Sequence, residues 1–190
     1  MEAMGIALLA VVALAVLAAV GFFNRLVRLR IRCRGAWADV EAQLKRRWDL
    51  IPGVVEVVKG YAAHERGLLE QVAALRSAAM RPAGPNDRGP REGELSGAVR
   101  GLFALAEAYP DLKASASFLR LHGTLVEVED QLQLARRYYN AVVRDYNTAR
   151  ELFPSSLIAS AFRFAREEFF QLEDSGEAAA PHFTLNQGRR

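Results

Sequence analysis

The sequence predicts an all-α, membrane-anchored protein: an N-terminal transmembrane helix followed by an elongated antiparallel helical bundle of three to four long helices. Three observations carry that reading. Residues 4–23 contain no charged side chain, and five arginines follow within ten residues. From Leu121 to Phe153, apolar residues recur at alternating spacings of four and three. That 3.5-residue period belongs to helices that supercoil against partners.

About twenty helical residues cross a bilayer core of roughly 30 Å. Eleven of residues 4–23 are Leu, Ile, Val or Phe, each worth about −0.3 to −0.6 kcal/mol near a helix centre. Arg25, Arg28, Arg30, Arg32 and Arg34 flank the C-terminal side; only Glu2 and the α-amino group flank the other. The positive-inside rule then places residues 1–3 outside the cell and the rest of the chain in the cytoplasm. A cleaved signal peptide would carry its charges before a shorter apolar core. A buried helix of a soluble protein is rarely apolar all round for this length.

Residues 24–34 form a basic juxtamembrane segment. Of the 25 basic and 22 acidic residues, five Arg and one Glu lie in residues 1–34, so the remainder is net −1. The net charge of +3 therefore belongs to the membrane border and argues against a nucleic-acid surface. A cluster of four to eight Arg or Lys beside a span suits anionic lipid headgroups; alternatively it only sets topology. The single cysteine, Cys33, excludes an internal disulfide framework. The neighbouring arginines favour a lowered thiol pKa, although incidental occupancy explains the residue as well.

The bundle is expected over residues 35–172. Trp37 to Trp48 continues as helix on good helix formers. At Asp49-Leu50-Ile51-Pro52 a kink or restart is expected, with Asp49 as N-cap and Pro52 in the first turn. Ile51, Val55, Val58, Ala62, Leu69 and Val72 then recur at helical spacing, interrupted by Glu65. Residues 81–93 hold three prolines and three glycines and are expected to be a loop at the far tip of a hairpin. A shorter helix follows over 94–109, ending at Tyr109-Pro110. The helix from Leu112 to Phe153 is the longest of the bundle, about 60 Å at 1.5 Å per residue. Its seam is Leu121, Leu125, Val128, Leu132, Ala135, Tyr139, Val142, Tyr146, Ala149 and Phe153, and residues 36–80 supply its partner. Pro154 stops it, Ser155 or Ser156 caps a short helix through Phe164 to Leu172, and residues 173–190 are read as a flexible tail.

These residues resemble the LemA family. The resemblance rests on Ala36-Trp37-Ala38, Gln43-Leu44, Asp49-Leu50-Ile51-Pro52, and Val58-Lys59-Gly60-Tyr61-Ala62-Ala63-His64-Glu65. It continues in Tyr109-Pro110, Leu112-Lys113-Ala114, Tyr139-Asn140, Tyr146-Asn147 and Phe153-Pro154. It runs from about Phe23 to Phe183. It departs at Phe23, where Tyr is usual before Asn24, at Trp48, at Gly53, and after Phe170. The resemblance implies a bacterial, inner-membrane, single-pass helical bundle that associates with membrane proteins. It implies no reaction.

Chemistry-bearing patterns are sparse. His64-Glu65 lacks the spacing of a zinc protease helix, and His122 and His182 stand alone. No P-loop or nucleophile motif is present. Glu127, Glu129 and Asp130 read as a solvated helix face. Tyr138, Tyr139 and Tyr146 invite a base-stacking reading, but a body without positive excess makes them amphipathic core edges. We therefore expect no enzyme, no cofactor, no metal, no nucleic acid and no small-molecule substrate.

One polar feature remains. Glu129, Gln133, Arg136, Asn140, Asn147 and Arg150 form a stripe beside the apolar seam. It either sets helix register, with Gln43, Arg47 and Asp49 as partners, or docks another membrane protein. The functional expectation is a membrane-anchored cytoplasmic scaffold or adaptor, binding the bilayer and either a membrane-protein partner or itself. The alternatives are an accessory subunit of a membrane protease or other membrane enzyme, and a self-assembling membrane-organising protein.

Overall fold

A computed structural model of the chain describes residues 1–171. It contains α1 (Glu2–Tyr61), α2 (Arg66–Ala79), α3 (Pro85–Ala106), α4 (Pro110–Lys113), α5 (Ala116–Glu151) and α6 (Ser155–Ala161), with no strand among the described residues. The expected tail 173–190 lies outside them.

α1 is one helix of 60 residues, about 90 Å at 1.5 Å per residue. Its first part is long and apolar enough to cross a membrane, and the most apolar window is not buried at all. Burial starts at Leu26 and continues through Cys33, Ala36, Val40, Leu44, Trp48, Ile51, Val54 and Val58. The bundle thus begins where the apolar stretch ends.

The expected restart at Pro52 does not occur, and Asp49 is no N-cap, since both lie inside one helix. Pro52 lies inside α1, although an interior proline costs about 3 kcal/mol or more. Buried Ile51, Val54 and Val58 on the same helix favour continuation. The break comes later, over Ala62–Glu65, where the chain turns into α2.

α5 packs antiparallel to α1 in a steady register. Arg47 meets Glu129, and Trp37 meets Tyr139. Most of the expected seam is buried: Leu125, Val128, Leu132, Tyr139, Val142, Tyr146 and Ala149. Phe153 is the exception, being 80% exposed. The start of the expected helix is also displaced: Leu112 sits in α4, and α5 begins at Ala116.

The expected loop at 81–93 is corrected to helix. α3 begins at Pro85, and Pro90 lies within it. Pro85 at the first helical position costs nothing, since that N–H needs no partner. Arg88 and Glu92, one turn apart, are both buried against α1, and this tertiary contact outweighs the weak local propensity. Nor is this segment the far tip. Arg88 pairs with Glu41, and Arg76 of α2 reaches Trp48, so the α2–α3 turn lies midway along α1.

The end of the chain differs as well. α6 stops at Ala161 rather than near Leu172. Arg163, with a left-handed φ of 53°, turns the chain into an extended arm, residues 164–171. The arm occupies the flank of the α1–α5 pair nearer the apolar stretch, and α2–α3 cover the far flank.

Candidate functional site

The polar stripe on α5 is divided between two internal tasks. Its C-terminal half holds the extended arm. The Tyr139 and Tyr146 hydroxyls donate to the carbonyls of Glu168 and Ala165, both at 2.7 Å. Asn140 donates to the Phe170 carbonyl at 3.0 Å and accepts from its N–H at 2.9 Å. Asn147 does the same with Glu167, at 2.9 and 3.1 Å. Arg150 Nε donates to the Phe164 carbonyl at 2.8 Å.

The spacing has a geometric reason. Seven helical residues rise about 10.5 Å, and three extended residues rise about 10 Å. The repeat Tyr139-Asn140, Tyr146-Asn147 therefore matches arm positions three residues apart. Phe164 and Phe170 anchor the ends: the first sits 5.6 Å from the Phe23 ring and the second 5.5 Å from Trp37. Burial pushes the Tyr139 and Tyr146 hydroxyls above the usual phenol range, which keeps them neutral donors.

At the N-terminal end of the stripe, Glu129 joins a buried charge network. Arg47 is fully buried. Its Nη1 reaches Glu92 Oε2 at 3.1 Å, its Nη2 donates to Ser96 Oγ at 2.8 Å, and its Nε lies 2.7 Å from Glu129 Oε1. Trp48 Nε1 donates to the other Glu92 oxygen at 3.0 Å. Arg88 lies over the Trp37 and Trp48 rings, 5.6 and 5.8 Å from their centroids, and pairs with Glu41 at 3.1 Å. Burial pushes the Glu92 carboxyl up, opposed by Arg47, the Trp48 N–H and Arg88. A buried carboxylate with that many donors orders helices.

Of the partners expected for the stripe, Arg47 does meet it, at Glu129, whereas Gln43 accepts from its neighbour Arg46. Gln133 accepts from Arg136 at 2.6 Å. Asn140, Asn147 and Arg150 turn to the arm and not to the earlier helix. Sequence reasoning missed Arg88 and Glu92, which lay in the expected loop, and it missed the arm. The signal that pointed to the arm was the heptad-spaced Tyr-Asn pair.

The arginine cluster also divides. Arg25, Arg28, Arg32 and Arg34 are exposed. Arg30 is half-buried, with Nε 3.5 Å from Glu167 of the arm. Cys33 is buried, and its thiol is raised to about 11 by burial and by the Glu167 carboxylate. The lowering expected from the arginines is thus reversed, because burial disfavours the thiolate and the arm's Glu167 carboxylate adds to it. Among the described residues, no group of three His, Cys, Asp or Glu is placed to hold a metal ion.

A family model described as the LemA family matches residues 36–184. Two magnetosome proteins of Paramagnetospirillum magneticum, MamQ 1 and MamQ 2, are each 23% identical over 181 residues, covering 82% of this chain and 66% of their own length. The chain therefore spans just under two thirds of those relatives. Protein LemA of Metamycoplasma hominis is 24% identical over 159 residues, covering 82% of this chain and 71% of its own.

Proposed function

The chain belongs to the LemA family, and from that membership we propose that it is a non-enzymatic, membrane-anchored scaffold or adaptor. In this reading α1 crosses the bacterial inner membrane with its N-terminus outside, and the bundle stands in the cytoplasm. The supporting observation is the continuity of α1. One helix without an interruption runs from the apolar stretch through the bundle, so a partner held by the bundle is fixed in height and orientation relative to the bilayer. The magnetosome proteins among the relatives are consistent with a role at a membrane.

Glu129, Asn140, Asn147 and Arg150 of the stripe bond to other parts of the fold, so the docking surface tested first lies beside it. Leu134 and Tyr138 on α5 are exposed and border a shallow recess with Asp39, Ala42 and Gln43. These two are the first residues to alter. The test is quantitative affinity purification from native membranes in mild detergent, comparing the full chain with the variant Leu134→Glu/Tyr138→Glu. A near-stoichiometric membrane protein recovered by the first and lost from the second supports an adaptor. Recovery of only the protein itself, as a large oligomer, rejects that reading in favour of self-assembly.

A further inference from the structure

We propose that the corner joining α5 to α6 is a second membrane-contact site, at which Phe153, Leu157 and Phe162 enter the leaflet that α1 leaves at Phe23. The proposal rests on the reading of residues 4–23 as a span.

Register sets the height of the corner. Trp37 of α1 faces Tyr139 of α5, with ring centroids 5.2 Å apart. Fourteen residues back along α1 is Phe23; fourteen forward along the antiparallel partner is Phe153. The end of α5 is therefore level with the end of the apolar stretch. α6 goes further. The Phe162 ring meets Phe23 edge-on at 4.9 Å, and Phe162 shares a wholly apolar recess with Val16, Ala19, Val20 and Phe23. Val16 lies seven residues above Phe23, about 10 Å along the axis. Phe162 thus stands beside the span, at the depth of roughly 5–10 Å that interfacial helices reach.

The chemistry of the corner agrees. Residues 152–162 contain no charged side chain, although Arg150 and Glu151 precede them and Arg163 follows. Phe153, Leu157 and Phe162 are 80%, 62% and 61% exposed. Exposed apolar side chains clustered at one corner mark an interaction site, and the recess that Phe162 shares with the uncovered apolar face of α1 selects lipid as the occupant. Internal bonding limits the polar cost of immersion: the Ser155 hydroxyl is held by the Ala149 and Leu152 carbonyls. Arg25, Arg28, Arg163 and Arg166 are exposed just below, at the level of the headgroups. Two points of contact would fix the tilt of the bundle, which one helix leaves free.

The test uses the full chain carrying Cys33→Ala, in vesicles of phosphatidylcholine and phosphatidylglycerol. Single cysteines at Phe153, Leu157 and Phe162 are spin-labelled, and relative accessibility to oxygen and to a water-soluble nickel complex reports depth. Leu14 serves as the span reference and Leu119, exposed at the far end of α5, as the aqueous reference, with helical content checked by circular dichroism. The expected result is preferential oxygen accessibility at all three corner sites, shallower than at Leu14. If Leu14 reads as lipid and the corner sites read like Leu119, the corner proposal is overturned and the span stands. If the corner sites are shielded from both reagents, a protein contact covers them and the proposal is likewise overturned. An aqueous Leu14 overturns the span reading and the proposal together.

Discussion

Arg76 Nε donates to the backbone carbonyl of Trp48 at 2.6 Å. In an α-helix that carbonyl would accept from the N–H four residues on, and the residue four on is Pro52, which has none. A side chain from α2 therefore supplies the bond that the proline withholds, and α1 passes through Pro52 without a break. Leaving such a carbonyl unpaired costs about 1–3 kcal/mol. We expect Arg76→Leu to destabilise the bundle by about that amount, read from urea midpoints. In a Pro52→Ala background the cost should shrink, because the restored N–H reclaims the carbonyl. Equal costs in both backgrounds would show that Arg76 acts through some other contact.

The arm should be released by loss of its amide clamps. Asn140→Ala and Asn147→Ala each strand one backbone N–H and one C=O of the arm. Together they remove four of the hydrogen bonds that hold it. The expected outcome is faster tryptic cleavage after Arg166 in the double variant, with helical content kept, since the arm contributes no helix. Unchanged cleavage would assign the arm's position to the remaining Tyr139, Tyr146 and Arg150 bonds and the packing of Phe164 and Phe170.

Glu92 should couple the bundle to pH. Its folded-state pKa is raised above the ordinary 4.5, mainly by burial. The folded chain then holds the proton more tightly than the unfolded chain. The associated stability is fully present below 4.5 and lost as pH rises through the folded value. The wild type should therefore gain stability relative to Glu92→Gln as pH falls from 7 towards 4.5, measured by denaturant midpoints across that range. A constant difference would place Glu92 in the ordinary range. Glu92→Ala, which leaves buried Arg47 with Glu129 as its one remaining carboxylate partner, should cost about 3–5 kcal/mol.

Cys33 should be inert in the folded protein. A thiol raised from 9.0 to about 11 has about a hundredfold less thiolate at pH 8 than an ordinary one, and burial adds a steric barrier. The same sign applies to stability: the neutral thiol is compatible with the fold, and its contribution is lost as pH rises from 9 to about 11. Iodoacetamide should label the native chain at pH 8 at least a hundredfold more slowly than the urea-unfolded chain. Comparable rates would contradict the burial of the thiol.

The fold was legible wherever the cause was local or periodic. The apolar run at 4–23, the five arginines and the heptads of α5 follow from hydropathy and the helical repeat, which a single chain displays without a partner. That Arg47 would meet the stripe was also readable, but its partner there, Glu129, was decided by the register of the two helices. Contacts between distant segments were not readable. Residues 85–93 look like a loop because proline and glycine lower local propensity, yet Arg88 and Glu92 gain more against Glu41, Arg47 and Trp48 than the local preference forfeits. Pro52 looks like a break because its missing donor is visible, whereas the replacement donor, Arg76, is 24 residues away. Phe153 fits the seam by spacing, yet only the register of α5 against α1 decides that the seam ends before it. By itself, the sequence determined that this protein is a long apolar helix joined to an antiparallel bundle of the LemA family. The tertiary structure alone decided that its polar stripe holds its own C-terminal arm, because seven helical residues and three extended ones span nearly the same distance.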